Sequence, residues 1–353
     1  MASGCSYHFP QDLIFEILSY LPVKSLLRFR SVCKSWLSII SDQQFIDTHL
    51  TNSQKKPATL VLLDRKFYHL YLDTLEESVR LHVTLWVRWI CSCNGLVCLV
   101  EQCANVVYLW NPLSRQLKKL CVFPEGRGEA IDFVFVYDST CDDYKLLRFS
   151  VEFRLTFGAD YCDDLIADMY SLKTGNFKEL KVPADLGNIE LYTNSKCVHD
   201  LKTGVLYFEC AYELLSFDLD KEVFRAYHYP LPEDVQYPIS DVLDFEGSAA
   251  VIFKAVDGSG LSLWTLDNVC DDKVAWTKKF NFEGDVKIDW VYIYLGAGQF
   301  VAKADDGHIF YDYKKKDVKK LLSPAPVGWF SSLVKYTESL VSPEGFQEFE
   351  LLK

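Results

Sequence analysis

Methionine is almost missing from this chain: 353 residues hold two of them, against 24 Phe, 20 Tyr and 8 Trp. That imbalance points to a β-rich body. Long apolar runs are missing as well. No stretch approaches the roughly eighteen residues of a membrane-spanning helix, so a span is not expected. No Asn-x-Ser/Thr acceptor occurs, and Met1–Phe9 lacks the basic-then-apolar pattern of a secretion signal. The 12 Cys are therefore expected as reduced thiols, buried like small hydrophobes, in the cytoplasm or the nucleus. Positive charge is in deficit, with 37 Lys/Arg against 49 Asp/Glu and a formal net charge of −12. Residues 1–56 hold six Lys/Arg and four acids, a balance of +2, which leaves −14 for the remainder. An acidic body argues against nucleic acid or anionic membrane as the main partner and permits a basic protein.

Catalytic and metal patterns are sparse too. The seven His are scattered without paired spacing. There is no Gly-rich phosphate loop and no Gly-x-Ser-x-Gly elbow. Cys91, Cys93, Cys98 and Cys103 lie close together, but Cys91 and Cys93 share one strand face and no zinc-type spacing completes a site. Core packing explains them better. Cys141-Asp142-Asp143 and Cys162-Asp163-Asp164 read as exposed turns, not cation sites. No cofactor, metal or catalytic residue is expected. Lys314–Lys316 with Lys319 and Lys320 reads as a solvated edge that discourages aggregation.

What is present begins with helices. From Phe9 to Pro22, Pro10 suits a first helical turn and Pro22 stops the run, while Leu13, Ile14, Ile17, Leu18 and Leu21 form one stripe. A second helix is expected at Lys24–Phe29. A third is expected at about Val32–Ile40, with Val32, Trp36, Leu37 and Ile40 on one face. Phe45, Ile46 and Leu50 suggest a last turn before a polar linker. So few helices cannot bury every apolar side chain among themselves. Those side chains either cap the following domain or face a partner.

The rest of the chain reads as an all-β repeat. One unit recurs six times: an aromatic ends an apolar strand, a polar turn follows, then a short strand. Aligned on Tyr71, Trp110, Tyr170, Phe217, Trp264 and Tyr311, the units are spaced 39, 60, 47, 47 and 47 residues apart. Such a period fits a four-stranded propeller blade, so six blades are favoured over two stacked sheets. Ser331–Tyr336 and Ser339–Ser342 are too short for another blade and are expected to pair with the first. The 60-residue interval suggests an enlarged loop near Phe153–Asp164. Loops joining second to third strands, and blade to blade, share one face. Tyr161, Tyr192, Tyr237, Trp290 and Trp329, on or beside that face, are candidate substrate-binding residues.

The run FPQDLIFEILSYLPVKSLLRFRSVCKSW closely resembles plant F-box sequences. The later segments Cys93-Asn94-Gly95-Leu96-Val97-Cys98, Trp110-Asn111-Pro112, Tyr137-Asp138 with Asp143-Tyr144-Lys145, and Gly204-Val205-Leu206-Tyr207 with Phe217-Asp218-Leu219 resemble the kelch-like F-box-associated domain. S-locus F-box and related families share this pairing. The resemblance implies an α+β multidomain chain: a small three-helix F-box (7–50), a linker (51–57), an all-β propeller that binds a substrate (58–343) and a C-terminal tail (344–353). It implies a non-catalytic subunit of a Skp–cullin ubiquitin ligase that presents a protein target for ubiquitination and degradation. Carried over by position, the Skp-adaptor contacts are Pro10, Leu13, Ile17, Leu21, Pro22, Leu26, Val32 and Cys33, with Trp36 as an internal anchor. The competing reading is a protein-binding or adaptor-sequestering module outside any ligase.

Overall fold

The computed structural model describes residues 9–55, 59–64, 66–70, 77–81, 87–101, 106–121, 123, 128–155, 161–183, 186, 197–200, 203–210, 213–229, 235–238, 240, 242–255, 260–270, 273–282, 286–305, 307–320, 332–342 and 347–348. Pro10 opens α1 (Gln11–Ser19), where a missing N–H costs nothing because first-turn N–H groups have no intrahelical partner. Pro22 in turn precedes α2 (Val23–Phe29). The third helix, α3 (Lys34–Ile40), starts later than the sequence suggests. Cys33 caps it, its Sγ accepting from the Trp36 N–H at 3.5 Å, and Val32 stays in the preceding turn.

The three-helix expectation falls short by one. A fourth helix, α4 (Gln43–Gln54), replaces the last turn and carries the chain through Thr51–Gln54, where a linker is predicted. Asp42 caps it by accepting from the Gln44 and Phe45 N–H groups at 2.9 and 3.3 Å, an interaction of about 1 kcal/mol. Its buried positions include His49, Asn52 and Ser53, so polar residues hide its amphipathic period. The helix is pinned to α1. Phe45 meets Phe15 edge-on at 5.2 Å, His49 Nε2 bonds the Leu21 carbonyl at 2.9 Å, and Asn52 Nδ2 donates to Ser19 Oγ at 3.0 Å.

Among the described residues, six antiparallel sheets follow. The first holds β1 (Thr59–Asp64), β2 (Lys66–Leu70) and β3 (Glu77–Leu81), joined by β25 (Ser332–Tyr336). The second runs β4 (Val87–Cys93), β5 (Leu96–Glu101), β6 (Val106–Asn111), β7 (Gln116–Cys121), with β26 (Gln347–Glu348) outside β7. The third is β8 (Glu129–Asp138), β9 (Asp143–Leu155), β10 (Tyr161–Ser171) and β11 (Phe177–Leu180). The fourth is β12 (Cys197–Asp200), β13 (Val205–Glu209), β14 (Glu213–Asp218) and β15 (Val223–His228). The fifth has β16 (Val235–Pro238) and β17 (Leu243–Phe245), both paired to β18 (Ser248–Ala255), then β19 (Leu261–Cys270) and β20 (Lys273–Phe282). The sixth is β21 (Ile288–Gly296), β22 (Gln299–Ala304), β23 (Gly307–Asp312) and β24 (Asp317–Lys320).

The sheets close into a ring. β25 pairs with β1 from Thr59↔Tyr336 to Leu63↔Ser332, so the end of the chain supplies a strand to the first sheet. The same strand touches β21 on one side and β4 on the other, which joins the last sheet to the second. Separate apolar clusters fill the gaps between successive sheets: Trp89, Leu109 and Phe133 between the second and third, Phe149 and Phe208 between the third and fourth, Val198, Tyr227 and Val251 between the fourth and fifth, and Leu263 and Phe300 between the fifth and sixth. Two stacked sheets would not give this cyclic series of cores. The result is an all-β propeller, as the repeat requires.

The repeat has a physical source. Trp110, Tyr170, Phe217, Trp264 and Tyr311 all lie in third strands, and in four of these sheets a small polar residue follows at the turn. Asn111, Asp218 and Asp312 each accept two backbone N–H groups of their own turns, at 2.9–3.3 Å. The 60-residue interval departs from expectation. Its extra length goes into strands, not a loop: β9 and β10 pair out to Leu155↔Tyr161, past the point where β8 ends its pairing at Val151.

Candidate functional site

In α1 the structure splits the apolar residues that the sequence groups into one stripe. Leu18 is buried and Ile14 half-buried, so these face the other helices. Leu13, Ile17 and Tyr20 face water at 40%, 53% and 55% exposure. Their spacing, i, i+4, i+7, makes a second stripe on the opposite side. Phe9, Val32 and Leu37 are exposed as well, as are Pro10, Pro22 and Cys33. Leu21 is half-buried.

One of the predicted contacts changes. Leu26 is fully buried among Leu18, Ile40 and Phe45, so it belongs to the core of the helices and cannot meet a partner. The single face expected for Val32, Trp36, Leu37 and Ile40 is divided: Val32 and Leu37 are exposed, while Ile40 is buried with Ile39. Trp36 is half-buried with its ring 5.2 Å from Phe29, an internal packing position. Phe9, Tyr20 and Leu37 escaped the sequence reading. The seven-residue step from Leu13 to Tyr20 was the available signal for one of them.

The helices stand at the propeller face formed by its short first-to-second and third-to-fourth turns. Gln54 Nε2 of α4 donates to Asn94 Oδ1 in the β4–β5 turn at 3.2 Å. Tyr137 and Tyr144 flank the β8–β9 turn. The Tyr137 hydroxyl is raised to about 12, first by its 2.6 Å bond to Asp142 Oδ1, and Asp47 of α4 adds to the effect. Tyr144 is raised chiefly by burial, again with a contribution from Asp47.

Trp290 is half-buried in β21. Tyr161 and Tyr237 lie in β10 and β16, with side chains outside the described residues, and Tyr192 and Trp329 are outside them entirely.

Elsewhere the chemistry is that of a scaffold. Cys91 and Cys98 are cross-strand neighbours, and the Cys91 thiol donates to the Phe133 carbonyl at 3.1 Å. Burial pushes the Cys91 and Cys93 thiols up to about 12, away from the thiolate needed for nucleophilic or ligand chemistry. Among the described residues, no three His, Cys, Asp or Glu side chains are placed to hold a metal ion. Asp143 serves turns: it accepts from Ser171 Oγ at 2.5 Å and from the Lys173 N–H at 2.8 Å. Asp138 accepts from the Thr140 N–H at 2.9 Å and from Lys145. Burial pushes its carboxyl up, but the bonds from Lys145 and Thr140 outweigh this and hold it well below the usual carboxylate range. Lys314–Lys316, Lys319 and Lys320 are exposed on the last hairpin. No helix among the described residues is long and apolar enough to cross a membrane.

Comparison with known proteins agrees with this layout. Residues 7–48 match the F-box domain, and residues 62–342 match the F-box associated beta propeller domain. Three Arabidopsis thaliana relatives are all named as F-box proteins. One is 27% identical over 296 residues, covering 77% of this chain and 70% of its own. A second is 30% identical over 244 residues, 64% of this chain and 63% of its own, and a third 24% identical over 301 residues, 76% of each. A solved structure titled "Crystal structure of Nidogen/Laminin Complex" aligns over 80% of this chain and 100% of its own at 11% identity and a TM-score of 0.45, too low to carry an argument. With both matches in the order that the helices and sheets require, this chain belongs to the family of F-box proteins that carry an F-box associated β-propeller domain.

Proposed function

We propose that this chain is the substrate-recognition subunit of a Skp–cullin–F-box ubiquitin ligase, working in the cytoplasm or the nucleus. One observation carries the reading. Leu13, Ile17 and Tyr20 form an exposed apolar stripe, with Val32 and Leu37 exposed too, on a helical module of +2 charge in a chain whose remainder is acidic. Soluble proteins rarely leave such a patch in water unless it meets a partner. The F-box family implies that the partner is a Skp-type adaptor, through which a cullin and a RING subunit are recruited. The propeller's opposite face then holds a protein target, whose identity the geometry does not name. The chain itself supplies no catalytic group in this scheme. It raises the local concentration of target lysines beside the ubiquitin-charged enzyme, an effect that reaches about millimolar for short tethers.

A pull-down with purified Skp-type adaptor tests the reading. Burying an Ile or Leu contributes roughly 1.5–3 kcal/mol, so Leu13→Asp and Ile17→Asp should each weaken capture by about tenfold or more. Circular dichroism should be unchanged, since both side chains already face water. Failure of the wild-type chain to bind the adaptor, or full binding by the double variant, would remove the proposal. Assembly with adaptor and cullin without a change in any protein's abundance on deletion would favour sequestration instead.

A further inference from the structure

Position 111 breaks a pattern in the propeller. At the equivalent turn of the fourth and sixth sheets the residue is Asp218 or Asp312, which accepts backbone N–H groups and has nothing to donate. In the second sheet it is Asn111. Its Oδ1 still accepts from the Leu113 and Ser114 N–H groups, and also from the Tyr336 hydroxyl at 3.3 Å. Its Nδ2 donates to the carbonyls of Ser339 at 3.1 Å and Val341 at 2.9 Å. An aspartate here would cap the turn equally well and would set a carboxylate against two carbonyls. The amide is explained by what crosses it, not by the turn.

What crosses it is the segment from Tyr336 to Val341. It leaves the first sheet at the end of β25 and passes beneath the β4–β5 turn of the second. Gly95 in that turn has φ +76°, and an added Cβ would stand 2.3 Å from Ser339 Oγ and 2.6 Å from the Thr337 carbonyl. Beyond the segment, β26 pairs with β7 (Gln347↔Leu117), so residues read from the sequence as a tail are tied to the outer edge of the second sheet. The segment is therefore fastened at both ends and in the middle. Its apolar side chains Tyr336 and Leu340 are buried at 0% and 2% exposure, in one continuous cluster that also holds Leu18, Ile40 and Phe45 of the helices and Trp110 and Leu113 of the second sheet.

We propose that Tyr336–Val341 is a strap that fixes the helical module on the propeller, and that Asn111 is the positioning residue that holds the strap. Besides the strap, the exposed Gln54–Asn94 bond links the two parts, and such a bond is worth little alone. Without the strap the helices would pivot about the end of α4. Under the proposed function a pivot would blur the distance between bound target and charged enzyme, and effective concentration falls when geometry is lost. The strap itself does not depend on that reading.

Hydrogen–deuterium exchange on the full-length chain provides the test. Asn111→Ala should raise exchange by tenfold or more in the strap and at the C-terminal half of α4, with Cys197–Phe282 unchanged. Asn111→Asp should do the same, although it keeps the turn cap. Faster exchange in the strap with α4 unaffected would overturn the proposal, as would full protection in Asn111→Asp. Should either variant also loosen the fourth and fifth sheets, Leu340→Ala, which leaves the amide in place, decides by the same criterion. Adaptor pull-down of Asn111→Ala is read alongside and should match wild type. If wild type itself fails to bind adaptor, the ligase reading falls while the exchange result still judges the strap.

Discussion

The helical module and the propeller treat the same kinds of side chain in opposite ways. Of eight large apolar residues exposed among the described ones, six lie between Phe9 and Leu37, while the propeller region contributes only Val223 and Val286. The propeller can bury its aromatics because each sheet has neighbours on both sides and the ring has no end. Phe149, Phe208, Phe217, Phe253 and Phe300 are all almost fully buried. Four short helices have one shared interior, filled by Leu18, Val23, Leu26, Ile40 and Phe45, and the outer stripe has nowhere to go. The propeller is complete in itself, whereas the helices are complete only with a partner.

The strongest way to break this comparison is to empty the interior of the helices. Phe45 is fully buried against Phe15, so Phe45→Ala should cost about 3–5 kcal/mol and abolish adaptor capture. Exchange in the β strands of the fourth and fifth sheets should stay at the wild-type level. An equal loss of protection there would mean that the two parts unfold as one.

A pH effect should mark the propeller. His308 is buried in β23 with Nε2 3.3 Å from the Tyr292 hydroxyl, and burial, then the charge of Lys303, lowers its pKa to about 4. Between the ordinary value of 6.5 and about 4, the unfolded chain binds a proton that the folded chain does not. Stability present above that window is lost as pH falls through it, by about 2 kcal/mol at pH 5. Urea unfolding at pH 7 and pH 5 should show the difference, and His308→Phe should remove its share, leaving that of His199, which burial also lowers.

The smallest effect concerns one turn. Asp218→Ala removes the acceptor for the Asp220 and Lys221 N–H groups and should cost about 1 kcal/mol without touching adaptor binding. Thermal melting reads the first part and pull-down the second.

How legible was each part in the sequence? The propeller could be read from its repeat because the third strands carry an aromatic at an equivalent place, most of them just before a polar turn residue, so the sequence restates the geometry at three successive 47-residue intervals. The 60-residue interval was misread as a loop, because strand extension and loop insertion look alike in spacing. α4 was missed because its inner positions are filled by His49 and Asn52, whose hydrogen bonds to Leu21 and Ser19 replace apolar burial. The candidate surface was legible as a set of apolar residues but not as a side: Leu26 was placed among the contacts although it is buried, and exposed Leu37 was not.

Periodicity and punctuation alone determined that helices precede an all-β repeat, because proline, turn residues and alternation act within a few residues of themselves. Which side of each helix meets water, where the ring closes, and why Asn stands at position 111 were decided by tertiary structure. Burial depends on what lies across the gap, and here that neighbour is more than 200 residues away in the chain: the strap accepts both hydrogen bonds that only an amide at position 111 can give.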